Sequence, residues 1–233
     1  MQNRVVVITG ASSGIGAATA RRLATSSRLL LVARRQQRLQ DLVAQINDEG
    51  GSAHALAVDV TADDAPARIV AACREHYGGM DVLINNAGIF TTADLAASDD
   101  QHIAQLLDLN VRVPMALTRE ALPLLTAGGG GWVVNVSSVA ATTAFPGCGV
   151  YAASKAALEQ WSAVIREELR QQGVRVSVIA PGATDTEVWD GRQVSRQGMC
   201  RAEDVAAAIH YSLDQAPSVS VDRVVVAPPA GAL

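Results

Sequence analysis

Seven short apolar runs alternate with helical stretches along this chain, and that alternation restricts its fold more than any other feature. Strands are predicted over 4–9, 28–33, 52–58, 81–84, a run ending at Val133–Val136, 174–180 and 221–226. Helices are predicted over 17–25, 36–49, 63–77, 99–126, from Tyr151 to about Gln172, and over 202–215. Strands joined through helices lie parallel, because a parallel partner needs a long crossover. The predicted class is α/β, a seven-stranded parallel sheet with helices on both faces. The 233 residues, 49% hydrophobic, suit one domain spanning 1–233, without an internal repeat. In such sheets ligands bind beyond the carboxyl ends of the strands, near the point where strand order reverses. The turns that follow the strands are therefore the places to look for chemistry.

The first such turn is Thr9-Gly10-Ala11-Ser12-Ser13-Gly14-Ile15-Gly16. Gly10 allows a tight turn, Gly14 lets backbone approach a phosphate, and Gly16 lets the helix pack on the strand. A pyrophosphate then meets the helix N-terminus, whose free N–H groups and dipole favour anions. Gly10, Ser12, Ser13, Gly14, Ile15 and Gly16 are the candidate cradle. The second strand ends at Ala33, where a carboxylate for the ribose 2′-hydroxyl of NAD is expected. Arg34 and Arg35 follow instead. A missing anion plus guanidinium groups suits a 2′-phosphate. NADP(H) is the preferred cofactor and NAD(H) the possible second. The plainer alternative is that Arg34, Arg35 and Arg38 solvate the start of a surface helix.

The stretch from Asn135 to Lys155 carries a second constellation. Ser137 and Ser138 sit where the fifth strand runs out, and Tyr151 and Lys155 follow on a helix. Residues four apart share a helix face. A free tyrosine, with a pKa near 10, is a poor acid–base group at neutral pH, and a nearby ammonium lowers that value. A Tyr–Lys pair beside a serine hydroxyl is then suited to proton exchange with a carbonyl or alcohol oxygen. By itself the four-residue spacing is common on solvated helices, so context decides.

Together the TGxxxGxG turn, the Asn85-Asn86-Ala87-Gly88 turn after the fourth strand and the Ser–Tyr–Lys set resemble the short-chain dehydrogenase/reductase family from Val5 to Val226. The resemblance implies a Rossmann-type, doubly wound sheet and reversible hydride transfer between a nicotinamide and a carbonyl or secondary alcohol. The family's serine lies thirteen residues before its tyrosine, which selects Ser138 over Ser137. The implied catalytic set is Asn110, Ser138, Tyr151 and Lys155. Asp59 and Val60 resemble the adenine contact, and Asn86, Ala87 and Gly88 the ribose side. Pro181, Gly182, Thr184 and Thr186 resemble the nicotinamide-side motif, with Tyr151 and Lys155 also touching cofactor. Asn110 resembles the residue whose carbonyl holds a relay water. Pro114 has no N–H for that carbonyl, so a bend is expected there. Residues 187–201 show no period and resemble a short substrate-covering loop. The helix after Lys155 carries an apolar face of Trp161, Val164, Ile165 and Leu169, either core or the contact of a homodimer or homotetramer.

Net charge of −4 argues against nucleic acid or an anionic membrane surface as partner. No run approaches the ~20 apolar residues of a membrane span, and no signal segment is apparent. Cys73, Cys148 and Cys200 lack metal-site spacing, which suits a reducing, cytoplasmic setting and no metal. Phe90, Thr142, Phe145, Cys148, Val150 and Trp189 are the candidate pocket wall, more apolar than charged. A ketone or aldehyde reductase is the expected activity. An NAD-dependent alcohol or diol dehydrogenase is the alternative, and a non-catalytic NADP sensor the reading from another class.

Overall fold

The computed structural model describes residues 3–216, 218–229 and 231. Its main sheet holds β1 (Arg4–Thr9), β2 (Ser27–Ala33), β3 (Ser52–Ala57), β4 (Val82–Asn85), β5 (Trp132–Val136), β6 (Arg175–Pro181) and a last strand, β9 (Arg223–Val226). Their order is β3-β2-β1-β4-β5-β6-β9, and every neighbouring pair is parallel. The order reverses between β1 and β4, which is where a doubly wound, Rossmann-type sheet opens its crevice.

The continuous apolar runs have a direct structural cause. Successive side chains of a strand point to opposite faces. Val6 and Ile8 of β1, with Leu29 and Leu31 of β2, join a core beneath α1 (Gly14–Leu23), α2 (Gln36–Asp48) and α7 (Ala202–Leu213). Val5, Val7, Leu30 and Val32 join the opposite core, under α3 (Ala65–Tyr77), α5 (Val113–Ala127) and α6 (Gly149–Leu169). Both faces are covered, so both positions of the pleat are predominantly apolar. At the amino-terminal edge Trp132 is buried between two guanidinium groups, with Arg4 4.4 Å and Arg175 3.6 Å from its ring centroid.

Two polar features interrupt the apolar core, and both lead toward the crevice. Asn85 Nδ2 donates to Thr118 Oγ1 at 3.2 Å and to Asn135 Oδ1 at 2.8 Å, while Asn135 Nδ2 donates to Ser162 Oγ at 2.8 Å. This buried ladder ties α5, β4, β5 and α6 in one line. The second feature corrects the long helix predicted over 99–126. The stretch is α4 (Asp100–Leu107), a π-helical turn over Asp108–Arg112, and α5. The Val113 N–H reaches back to the Asp108 carbonyl, one residue further than in an α-helix, and Pro114 lies in the first turn of α5. The expected bend is thus a widened turn centred on Asn110.

The segment after β6 also differs from expectation. Thr184–Asp185 (β7) pairs in parallel with Cys200–Arg201 (β8), pinning both ends of the loop predicted as irregular, and Glu187–Trp189 forms a 3₁₀ turn. Strands of two residues carry no period to read. The last main-sheet strand begins two residues later than predicted, at Arg223, and the proline-rich tail falls partly on residues 230, 232 and 233, outside the described residues.

Removing one rung of the ladder should be costly. Asn135→Ala leaves the Asn85 amide with Thr118 alone and takes from the Ser162 hydroxyl the donor it accepts, leaving only its bond to the Leu158 carbonyl. Denaturant unfolding should register a loss of roughly 2–3 kcal/mol; a loss below about 0.5 kcal/mol would show that the ladder contributes nothing net.

Candidate active site

A cleft of about 1030 Å³ opens beyond the carboxyl ends of β1, β4, β5 and β6. Its first wall is the turn before α1. Gly10 has φ +66°, and a Cβ there would lie 2.8 Å from Asn86 Nδ2 and 2.9 Å from the Ala87 backbone. A Cβ on Gly16 would lie 2.4 Å from the Gly10 carbonyl oxygen, so the turn and α1 pack without room for a side chain. Thr9 Oγ1 accepts from the Asn86 and Ala87 amides, both at 3.0 Å, and Asn86 Nδ2 returns a bond to the Thr9 carbonyl at 2.9 Å. Ser13, at the start of α1, makes no side-chain cap bond, so its hydroxyl does not occupy the anion-attracting end of the helix.

Nearly all the predicted cofactor residues line this one cleft: Gly10, Ser12, Ser13, Gly14, Ile15, Arg34, Arg35, Asp59, Val60, Asn86, Ala87, Gly88, Pro181, Gly182, Thr184 and Thr186. Gly16 lies beneath the wall rather than on it. The basic corner is more elaborate than the sequence suggests. Arg34 is 74% exposed and 3.9 Å from Asp59. Arg35 donates to Ser12 Oγ at 3.1 Å, to Ser13 Oγ at 2.5 Å and to Glu187 Oε2 at 2.6 Å. Arg38 also bonds Glu187. The hydrogen bond from Arg35 first, and that from Arg38 with it, holds the Glu187 carboxyl below its usual range. Arg38 is therefore more than a solvated helix residue, and Glu187 is a site residue that sequence reasoning missed. Its partners are about 150 positions away in the chain, so no local spacing could reveal it. Asp59 Oδ1 accepts from the Thr61 amide at 3.0 Å and the Thr61 hydroxyl at 2.8 Å, which pulls its pKa down and caps the turn.

The opposite end of the cleft holds Ser138, Tyr151 and Lys155. Ser138 stands at the end of β5 in extended backbone, and its Oγ accepts from the Ala140 amide at 3.1 Å. Ser138 and Tyr151 line the same end of the cleft, and the Ser138 hydroxyl is near enough to the phenol to lower its pKa. Lys155 is buried, with Nζ donating to the Val136 carbonyl at 3.0 Å and lying 5.8 Å from the Tyr151 ring centroid. Burial lowers its pKa to about 8, and Glu159 opposes the shift. Tyr151 departs from the sequence expectation. Burial pushes its phenol above the ordinary value, the Ser138 hydroxyl pulls it back, and Cys148 adds to the rise. The ammonium is turned to the Val136 carbonyl, and burial of the phenol sets the direction of its shift.

Asn110 does not reach the cleft surface. It is buried behind Gly88, with Oδ1 accepting from the Ile89 amide at 3.0 Å and Nδ2 donating to the Ile89 carbonyl and Ser154 Oγ, both at 3.1 Å. It thereby fixes the turn after β4 against α6. Of the predicted pocket wall, Phe90, Phe145, Cys148 and Trp189 line the cleft, while Thr142 and Val150 do not. Phe90 meets the Tyr151 ring edge-to-face at 4.9 Å and the Trp189 ring at 5.4 Å.

The glycine turn, the uncapped helix end and the basic corner fit a phosphorylated dinucleotide, and the Ser–Tyr–Lys cluster faces the same space. Fold and cleft define an oxidoreductase of the nicotinamide-dependent, Rossmann type, acting on CH–OH and C=O groups. The sequence profile described as short chain dehydrogenase matches residues 4–196, and the chain belongs to that family. It is similar to an uncharacterised oxidoreductase of Listeria innocua, 33% identical, with 98% of this chain and 97% of that one covered. It is also 35% identical to sulfoacetaldehyde reductase 2 of Chromohalobacter salexigens, over 96% and 94% of the two chains. A short-chain dehydrogenase of Burkholderia cenocepacia solved in complex with NADP superposes with a TM-score of 0.88, at 31% identity, covering 97% of each chain.

Lys155 makes the site costly to the fold. Its pKa is about 8 in the folded chain against an ordinary 10.5, so between those values the unfolded chain binds the extra proton. The penalty is full below about pH 8 and fades as pH rises toward 10.5. Lys155→Met should therefore raise stability by roughly 1–3 kcal/mol at pH 7. Urea unfolding at pH 7 and pH 10 should show the gain shrinking at the higher pH; a destabilised variant at pH 7 would contradict it.

Proposed function

We propose that this protein is an NADP-dependent ketone or aldehyde reductase. The observation that carries the reading is that Ser138, Tyr151 and buried Lys155, one helical turn from Tyr151, line the same cleft as the glycine turn and the basic corner. The nicotinamide, when bound, supplies the hydride for the carbonyl carbon. Ser138 receives and orients the substrate oxygen. Tyr151 delivers its phenolic proton to that oxygen, so carbonyl, hydride and proton become an alcohol. Burial keeps the phenol protonated at neutral pH but a weak acid, so its strength as a proton donor depends on the Lys155 charge. Lys155, held on the Val136 carbonyl, would also hold the ribose hydroxyls of a bound cofactor, and its charge would favour the phenolate that proton transfer leaves behind. Asn110, in the widened turn, carries the carbonyl that links Lys155 to solvent through water. The similarity to a sulfoacetaldehyde reductase supports the direction of reduction, and the NADP complex of a 31% identical structure supports the cofactor.

Arg34 and Arg35, which line the cleft, would receive the 2′-phosphate, with Arg38 beside them on Glu187, and Asp59 and Val60 would meet the adenine. NAD(H) is the second choice, because it leaves the Glu187 pairs undisturbed. A second copy of the chain is the proposed macromolecular partner. A groove between α5 and α6, lined by Leu107, Met115, Leu122, Trp161, Ile165 and Leu169, carries the apolar face read from the sequence. Ile165 and Leu169 are core, whereas Val164 is 46% exposed. Among the described residues no helix is long and apolar enough to cross a membrane.

NADPH oxidation against a panel of aldehydes and ketones tests the activity. Tyr151→Phe should bind NADPH and lose at least roughly a hundredfold in kcat, as removal of a proton donor does; turnover within threefold of wild type would reject the mechanism. The cofactor choice has its own test in Glu187→Gln. Freeing two guanidinium groups should tighten 2′,5′-ADP by roughly threefold to tenfold and leave 5′-AMP nearly unchanged in calorimetric titration. Equal effects on both nucleotides would remove Arg35 and Arg38 from phosphate recognition.

A further inference from the structure

We propose that Arg192 is the receptor for an anionic group on the substrate, a carboxylate or sulfonate carried two or three bonds from the carbonyl; this rests on the reductase reading above. Arg192 belongs to the loop whose Val188, Trp189 and Val194 line the cleft; it stands behind Phe90 and Trp189 rather than in the lining itself, and its guanidinium is held in a fixed place. Cζ lies 4.7 Å from the Phe90 ring centroid and 6.0 Å from that of Trp189, and Nη2 donates to the Phe90 carbonyl at 3.0 Å. Phe90 in turn stands 4.9 Å from the Tyr151 ring. Phe90 thus contacts both the cation and the ring of the proton donor.

The charge of Arg192 also has a distinctive balance. The other arginines around the cleft are each in contact with a carboxylate: Arg34 with Asp59, Arg35 and Arg38 with Glu187, and Arg196 with Asp185 and Asp190. Among the described residues Arg192 has no such partner. The acidic residues that line the cleft, Asp59 and Glu187, stand among the arginines of the basic corner, while the wall near Tyr151 is Phe90, Phe145, Cys148 and Trp189. The field of Arg192 reaches that wall, since it lowers the Cys148 thiol against the rise that burial imposes. A planar guanidinium stacked on aromatic rings, with one N–H anchored and the others left for a ligand, suits bidentate recognition of an oxyanion. In a largely apolar setting the same charge gives a neutral carbonyl no equivalent contact.

The test compares matched probes in NADPH oxidation: 3-oxobutanoate, 4-oxobutanoate and 2-sulfoacetaldehyde beside the methyl esters of the two acids and 2-(methylsulfonyl)acetaldehyde. At least one anion should exceed its neutral counterpart by roughly tenfold or more in kcat/KM, the scale of one charge-assisted contact. In Arg192→Gln that ratio should fall to about one, through a higher KM for the anion with kcat less affected, and Arg192→Lys should recover part of it. Melting curves show whether each variant is folded. A wild type that turns over neutral probes as well as anions overturns the proposal and leaves the reductase reading intact. The same holds if Arg192→Gln slows both members of a pair equally, since Arg192 would then only pin the loop to Phe90. Binding of NADPH without turnover of any probe overturns both.

Discussion

The hydroxyl of Thr9 joins the two strand ends on which the site is built. It accepts the amides of Asn86 and Ala87, and Asn86 answers by donating to the Thr9 and Gly10 carbonyls. These bonds cross the gap between β1 and β4, where the sheet changes direction and parallel neighbours would otherwise leave their loops apart. With the loops tied, Gly16 seats against Gly10 and Gly88 seats against Asn110 and Lys155. A side chain at any of these glycines would wedge one wall of the cleft away from the other. The cradle for phosphate and the bed of the lysine are therefore parts of a single packed unit.

That unit accommodates an unusual burden. Lys155 is buried with a backbone carbonyl rather than a carboxylate as its direct partner, and Tyr151 is held above its ordinary pKa. Both groups are kept in their less favourable surroundings by the neighbouring secondary structure: the widened turn at Asn110, the end of β5 and the first turns of α6. Strain of this kind is concentrated at sites of chemistry and offset by the rest of the fold. Here the offset comes from two apolar layers that cover the sheet on both faces.

Much of this was legible in the sequence because the repeating unit is local. A β-branched run, a small-residue turn and an amphipathic helix state their own structure within some thirty residues, and the turns mark the cleft. Tyr151 and Lys155 could be paired because they share one helix. What could not be read depends on distant or very short pieces. Glu187 meets arginines from another layer, β7 and β8 are two residues each, and a π-helical turn has nearly the same composition as the helix around it. Thr142 and Val150 sit in the right segment and still miss the cleft, since position along a loop does not set which way a side chain faces.

The three tryptophans occupy three different territories. Trp132 is enclosed between Arg4 and Arg175 at the foundation of the sheet, Trp161 is half-buried along the groove of α6, and Trp189 bonds the Thr184 carbonyl beside Phe90 in the cleft. Each stands in surroundings that a different event would alter: unfolding, docking of a second chain, or arrival of a ligand. The molecule thus carries its own optical labels, and replacing two of them by phenylalanine leaves an emission signal that belongs to one region alone.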